Sequence, residues 1–247
     1  MSILDNVQIV LVNPSVAGNI GATARVLKNT GIKRLVLVAP GTWDTADTRR
    51  IAHGSGEILD GCQVFPTLPQ AIASSSLVVG TTHRQGRDRE ITIPANKLIE
   101  RIVTAAQNQR VSVVFGREQD GLWQEELQHC HALLHFPTAV DYPSLNLSHA
   151  VLLTAYQIFG ASLQPLAEPG PPKMTCAELE RLSHHLLAAL NAIDFDHYNE
   201  QPDHFLRILR RVLTRTELSG RDAKVLHKIC GQIGKFSRRH RASGGNG

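Results

Sequence analysis

Four short stretches of this chain collect residues that could do chemistry. The first runs from Asn19 to Arg25 and offers a carboxamide and, six residues on, a guanidinium. The second is Thr81-Thr82-His83-Arg84, and the third runs from Gly116 through Arg117 and Glu118 to Gly121. The fourth is Tyr142-Pro143-Ser144-Leu145-Asn146. Hydroxyls, carboxamides, carboxylates and arginines gathered in this way can hold a polar ligand by hydrogen bonds and charge. Each stretch also has a purely structural reading. Asn19 could cap a helix, Arg25 could be a solvated charge, and Gly116 and Gly121 could serve a turn. Glu118 could be a surface carboxylate, and Ser144 or Asn146 could cap the helix that follows.

Other chemistries are excluded by pattern. The chain has no G-x-x-x-x-G-K-[ST] phosphate loop and no G-x-S-x-G elbow. The dinucleotide fingerprint fails because Leu59 stands where the third glycine after Gly54 and Gly56 belongs. No His/Cys group has zinc spacing, and no metal is expected. His129 and His131 flank Cys130 on what reads as a helix, so they point in different directions. His184-His185 reads as one core and one surface residue. The four cysteines, at 62, 130, 176 and 230, are scattered, which suits buried thiols in a reducing cytoplasm. No apolar run is long enough for a membrane span, and the N-terminus lacks the basic segment of a secretory signal.

The elements that must position these stretches follow from hydrophobic patterning. Val7–Val12, Arg34–Val38, Gln63–Phe65, Leu77–Gly80, Val111–Phe115 and Leu133–Phe136 are short apolar runs that read as buried strands. Between them lie helical patterns: one with Ile20, Ala24 and Leu27 on a face, one over 46–59 broken at Gly54-Ser55-Gly56, one at 68–75, and one after Pro94. Alternation of this kind predicts an α/β fold with a mostly parallel sheet and helices on both faces. The four polar stretches then sit where strands end and helices start, where open α/β sheets bind ligands.

A proline-rich linker, 162–173, divides a sheet domain (1–161) from a small helical domain (174–247) whose last residues are expected to be disordered. In the helical part, Leu179, Leu182, Leu186, Leu190 and Ile193 make one apolar stripe, Leu206, Leu209 and Leu213 a second, and Val225, Ile229 and Ile233 a third. The net charge of +4 is unevenly spread: 173–247 carry 13 Lys and Arg against 8 Asp and Glu, while 1–172 carry 13 against 14. Such an excess suits a polyanionic partner, although a basic tail can also merely solubilise.

The motifs taken together carry a resemblance. N-x-G-x-x-x-R over Asn19–Arg25, then V-V-G-T, V-F-G-R-E-x-x-G-L and S-L-N-L-S-x-A, resemble the SPOUT superfamily of methyltransferases, in the branch that methylates ribose 2′-hydroxyls of tRNA and rRNA. The motifs span nearly all of 7–160. The N-terminal V-L-V-N-P-S-x-x-G-N-I-G and the helical extension are most similar to bacterial enzymes acting on cytidine and uridine at anticodon-loop position 32 of tRNA.

The resemblance implies a deep trefoil knot at the C-terminal end of the sheet domain, S-adenosylmethionine as cofactor, and a homodimer that completes the site. It assigns cofactor contacts to Thr81, Thr82, His83, Gly116, Phe136, Pro143, Ser144 and Leu145, many through main chain. Pro143, which has no N–H, would have to use its carbonyl or ring. Arg25 would be the key catalytic residue, with Asn19, Glu118, Ser144 and Asn146 orienting it and the ribose. An arginine stays protonated, so stabilising a developing oxyanion suits Arg25 better than acting as a base. Phosphate contacts are expected from Arg207, Arg210, Arg211, Arg238, Arg239 and Arg241. Two alternatives remain: the same reaction on rRNA or another tRNA position, and a knotted RNA-binding protein without catalysis.

Overall fold

A computed structural model describes residues 2–82, 94–139, 145–195 and 202–243, with the side chains of 202, 203 and 240–243 outside the described set. After a short 3-10 turn the order is β1 (Val7–Val12), α1 (Ala17–Thr30), β2 (Arg34–Val38), α2 (Ala46–Ala52), α3 (Gly56–Asp60), β3 (Gln63–Phe65), α4 (Leu68–Ala71) and β4 (Leu77–Thr81). It continues with α5 (Ala95–Ala105), β5 (Val111–Phe115), α6 (Gln124–Leu127), β6 (Ala132–Leu134), α7 (Leu147–Ser162), α8 (Cys176–Ala192), α9 (Pro202–Arg215) and α10 (Gly220–Ser243).

The six strands form one sheet in the order β3-β2-β1-β5-β4-β6, and every pairing is parallel. Ile9 pairs with Leu35 on one side and Val113 on the other. β1 and β5 are buried along their whole length, so both sheet faces are covered. This is why the strands read as continuous apolar runs instead of alternating ones. One face carries Ile9, Leu11, Val113 and Phe115 in a core with Ile20 and Leu27 of α1, Ile102 of α5 and Val151 of α7. Each such side chain contributes about 1.5–3 kcal/mol on burial. Polar groups in the sheet are paired: Gln8 Nε2 donates to the Ala71 carbonyl (3.0 Å) and to Ser112 Oγ (2.8 Å), and Ser112 bonds Ser75 (2.6 Å).

The connections out of β1 and β5 leave in opposite directions, towards β2 and β6 respectively. Parallel strands put all their C-terminal ends on one edge, so the residues that leave β1, β4, β5 and β6 start there. The apolar runs located the strands to within a residue or two. The helix read around Cys130 is a correction. α6 stops at Leu127, and His131 lies extended at the entry to β6, its N–H on the Val78 carbonyl (2.8 Å).

The chain divides into two compact units, 1–170 and 171–247. The division falls inside the proline-rich segment, and α7 runs to Ser162 before it. The second unit has its own core of Met174, Leu179, Leu182, Leu213 and Ala223. Its α10 departs from the sequence reading. Val225 (59%) and Ile229 (48%) face outward, whereas Ala223, Cys230 and Ser237 are buried. These three small residues recur every seven positions, the spacing of a helix–helix seam, and let the backbone come close to α8. Ser237 Oγ donates to the Ala192 carbonyl at 2.5 Å. Ile193, also read as core, is exposed.

His131 gives the fold a pH dependence. Its Nδ1 accepts a bond from the Val78 N–H (3.1 Å), which requires that nitrogen to be unprotonated. Burial and then the charge of Arg101 push its pKa down to about 4 from 6.5. Below pH 6.5 the unfolded chain therefore binds the proton more readily than the folded one. Stability from this residue is complete above pH 6.5 and is lost as pH falls towards about 4, a change on the order of 3 kcal/mol. In His131→Gln the stability deficit relative to wild type should shrink as the pH of a denaturant titration is lowered from 7 to 5. A deficit that stays constant over that range would remove His131 from the acid sensitivity.

Candidate active site

The site is built at the carboxyl ends of β1 and β5. After β1 the chain turns sharply: Asn13 takes φ +47°, a left-handed conformation that asparagine tolerates better than most residues. The turn brings Ser15 and Val16 towards the loop after β5. There Glu118 accepts four hydrogen bonds: from the Ser15 N–H (3.1 Å), the Ser15 hydroxyl (2.8 Å), the Val16 N–H (3.2 Å) and the Asn19 Nδ2 (2.9 Å). α1 has no acidic residue in its first turn and no side-chain cap at Val16. Glu118 supplies from another loop the negative charge that a helix N-terminus favours.

Burial pushes the Glu118 carboxyl up, but the bonds from Asn19 and Ser15 outweigh it and hold the pKa below the usual range. The group is thus a carboxylate whose acceptor sites are filled by four donors. It has no lone pair left for a substrate proton, and its action is to position. Asn19, buried on α1, in turn accepts at Oδ1 from Asn146 Nδ2 (3.1 Å). Asn146 is the N-cap of α7, its Oδ1 accepting from the Ser148 N–H (2.9 Å) and hydroxyl (2.7 Å). One chain of hydrogen bonds therefore ties the β5 loop, α1 and α7. The alternative reading of Asn146 as a cap holds beside this, while Asn19 lies inside α1 and does not cap it.

The glycines of the third stretch have a geometric cause. Arg117 and Gly121 exchange backbone bonds of 3.1 and 3.0 Å, closing a five-residue hairpin. A Cβ on Gly116 would lie 2.0 Å from the Gly121 carbonyl carbon, and Gly121 itself takes φ +69°. Arg117, mostly buried, donates to Glu126 (3.0 Å) and lays its guanidinium 3.6 Å from the Trp123 ring centroid. Its Nε has no partner among the described residues.

Beside this hairpin is a cavity. Thr81 and Thr82 line it from the end of β4, Gly116 and Leu122 from the β5 loop, Leu134 and Phe136 from β6, and Leu145 and Leu147 from the approach to α7. Five of the eight residues assigned to a cofactor meet in it: Thr81, Thr82, Gly116, Phe136 and Leu145. The other three, His83, Pro143 and Ser144, lie outside the described residues. Apolar walls together with the polar side chains of Arg117, Glu118, Gln119 and Asp120 suit a ligand with both an apolar and a charged part.

Arg25 is exposed on α1, a turn and a half beyond Asn19, and is not part of the hydrogen-bond chain. Of the basic residues assigned to phosphate, Arg207, Arg211, Arg238 and Arg239 are exposed, and the Arg241 side chain lies outside the described set. Arg210 is different. It is held bidentately by Glu180 (2.6 and 2.5 Å) and is largely covered, so its charge is already neutralised. His184 Nε2 shares the Glu180 Oε1 with Arg210 (3.0 Å), and His185 meets His227 (2.7 Å). Ser15 and Arg117 stood only inside quoted motifs, with no role given to either, and Trp123 and Glu126 were not marked by the sequence. Ser15 lies 103 positions from its partner Glu118, so no spacing rule links them.

Comparison with known proteins bears on this geometry. The sequence pattern of the SpoU rRNA Methylase family matches residues 6–156. The tRNA (cytidine/uridine/adenosine-2′-O-)-methyltransferase TrmJ of Pseudomonas aeruginosa is 36% identical over 253 residues, covering 95% of this chain and 96% of the relative. The tRNA (cytidine/uridine-2′-O-)-methyltransferase TrmJ of Escherichia coli is 33% identical over 250 residues, covering 97% and 99%. Among solved structures, TrmJ of Z. mobilis superposes with a TM-score of 0.78 at 27% identity, covering 92% of this chain and 98% of that one.

Gly116→Ala should force the hairpin open, because backbone and not a flexible side chain occupies the space. Overpacking of this kind costs about 1–3 kcal/mol, or roughly 2–12 °C in thermal midpoint for a chain of this size. Differential scanning calorimetry of the variant checks this, and an unshifted midpoint would mean that the hairpin can relax.

Proposed function

The chain belongs to the SpoU rRNA Methylase family, and from that premise we propose that it transfers a methyl group from S-adenosylmethionine to a ribose 2′-hydroxyl of tRNA. The observation that carries the reading is the Glu118–Asn19–Asn146 hydrogen-bond chain beside a cavity on the carboxyl edge of the sheet. The relatives' printed activities and their nearly full coverage of this chain favour tRNA over rRNA. The nucleotide is the cytidine or uridine at position 32 of the anticodon loop.

Thr81, Thr82, Gly116, Phe136 and Leu145, with His83, Pro143 and Ser144, would hold S-adenosylmethionine, which would supply an electrophilic sulfonium methyl to the ribose 2′-oxygen and leave as the neutral thioether. The hydroxyl proton would pass to water. Glu118, saturated by donors, keeps α1 and Asn19 in register with Asn146. Asn146 and Ser144 orient the ribose. Arg25 stabilises the negative charge growing on oxygen, and its exposed position on α1 leaves it available to a substrate.

The enzyme acts as a homodimer. Support comes from α7, where Leu152, Leu153 and Tyr156 stand exposed on one apolar helix. The trefoil knot rests on the family resemblance, and the strand order, with β6 beside β4 and not beside its predecessor β5, is compatible with it. A cytoplasmic location suits a tRNA substrate. Arg207, Arg211, Arg238, Arg239 and Arg241 contact phosphates, whereas Arg210 braces α9 against α8 through Glu180.

In Arg25→Ala, turnover should fall at least tenfold while calorimetric binding of S-adenosylmethionine stays unchanged. The loss of an oxyanion contact is typically worth about 2.7–4 kcal/mol. Retention of more than about a tenth of the rate would exclude the role. Protein truncated after Gly170 should still bind the cofactor and sediment as a dimer, but its tRNA affinity should drop. The slope of log affinity against log salt should also flatten, by roughly 0.7–0.9 for each phosphate contact removed. Filter binding at several salt concentrations measures both, and identical affinity and slope would leave the helical unit without an RNA role.

A further inference from the structure

Trp123 is half exposed (50%), although an indole is usually mostly buried. It is also fixed. The guanidinium of Arg117 covers one face of the ring, and Glu126 binds both that guanidinium and the main-chain N–H of Trp123 (2.7 Å). An Arg–carboxylate pair that is itself mostly buried therefore backs a ring that remains half exposed. A preorganised flat apolar face of this kind loses little freedom when it binds.

The ring's location suggests its ligand. Trp123 directly follows Leu122, which lines the cavity, and the hairpin folds Gly121 back onto Arg117, the neighbour of Glu118. A flat group adjacent to the reacting ribose would thus come to this ring. Unpaired bases splay out of RNA loops and stack on aromatic side chains, whereas bases inside a duplex cannot. We infer that Trp123 is a stacking platform for an unpaired nucleobase flanking the target nucleotide. This rests on the RNA methylation reading and adds to it a residue that selects looped over helical substrate. Trp123 holds the substrate and does not enter the chemical step.

The sequence contains two tryptophans, so Trp43→Phe leaves Trp123 as the sole indole reporter. Titrating this protein with tRNA should quench and shift its emission, while a blunt RNA duplex should not. Trp123→Ala should raise the KM for tRNA about tenfold with kcat and cofactor binding unchanged, and Trp123→Phe should recover most of that loss. Binding and methylation of tRNA with unaltered emission and an unchanged KM in Trp123→Ala would overturn the inference alone. So would an emission change that follows protein concentration instead of RNA, since a second copy would then cover the ring. Absence of any RNA binding or methyl transfer would overturn the enzymatic reading and this inference with it.

Discussion

The structure depends on one carboxylate. Glu118 takes hydrogen bonds from two main-chain N–H groups, a hydroxyl and a carboxamide, all from the segment between β1 and the first turn of α1. Without it that helix would begin with orphan donors and no acidic residue near its positive end. With it, the two central strands of the sheet are joined beyond their carboxyl ends. Asn19, ordered by the same carboxylate, reaches Asn146 and so fixes where α7 starts. Charge at a buried edge is expensive unless its hydrogen bonds are made, and here each is made to a group that needs a partner of its own.

The hairpin that carries Glu118 is held just as tightly from the other side. Gly116 admits the backbone of Gly121 and Leu122 at a distance no side chain would allow. Arg117 and Glu126 clamp the base of the loop, with Trp123 laid across the guanidinium. The neighbouring cavity is lined by both kinds of group, with Phe115, Leu134, Phe136 and Leu147 on the apolar side and Arg117, Glu118, Gln119 and Asp120 supplying charge and hydrogen bonds.

The helical unit divides its charges between structure and surface. Arg210 is spent on Glu180, a bidentate pair bracing two helices, while Arg207 and Arg211 on the same helix stay exposed. The net positive charge of this unit therefore overstates the number of arginines available to a polyanion. Burial of Ala223, Cys230 and Ser237 in place of the larger Val225 and Ile229 has a related cause: small residues let α8 and α10 approach, and the larger side chains are left outside.

The sequence by itself determined the strands, because residues buried on both sheet faces must be apolar without interruption, as Val7–Val12 and Val111–Phe115 are. It also shows the polar stretches, the proline-rich segment and the uneven charge, and its combined motifs were enough to identify the family. It did not determine partners. Nothing local pairs Ser15 with Glu118, Arg210 with Glu180, or the His131 ring with the Val78 N–H. His131 read as helical because its neighbours are helix-compatible, and only strand pairing beside β4 made it extended and buried. Periodicity is written in adjacent residues, and so it survives in a linear reading. Contacts across a hundred residues depend on sheet order and register, which exist only once the chain has closed on itself.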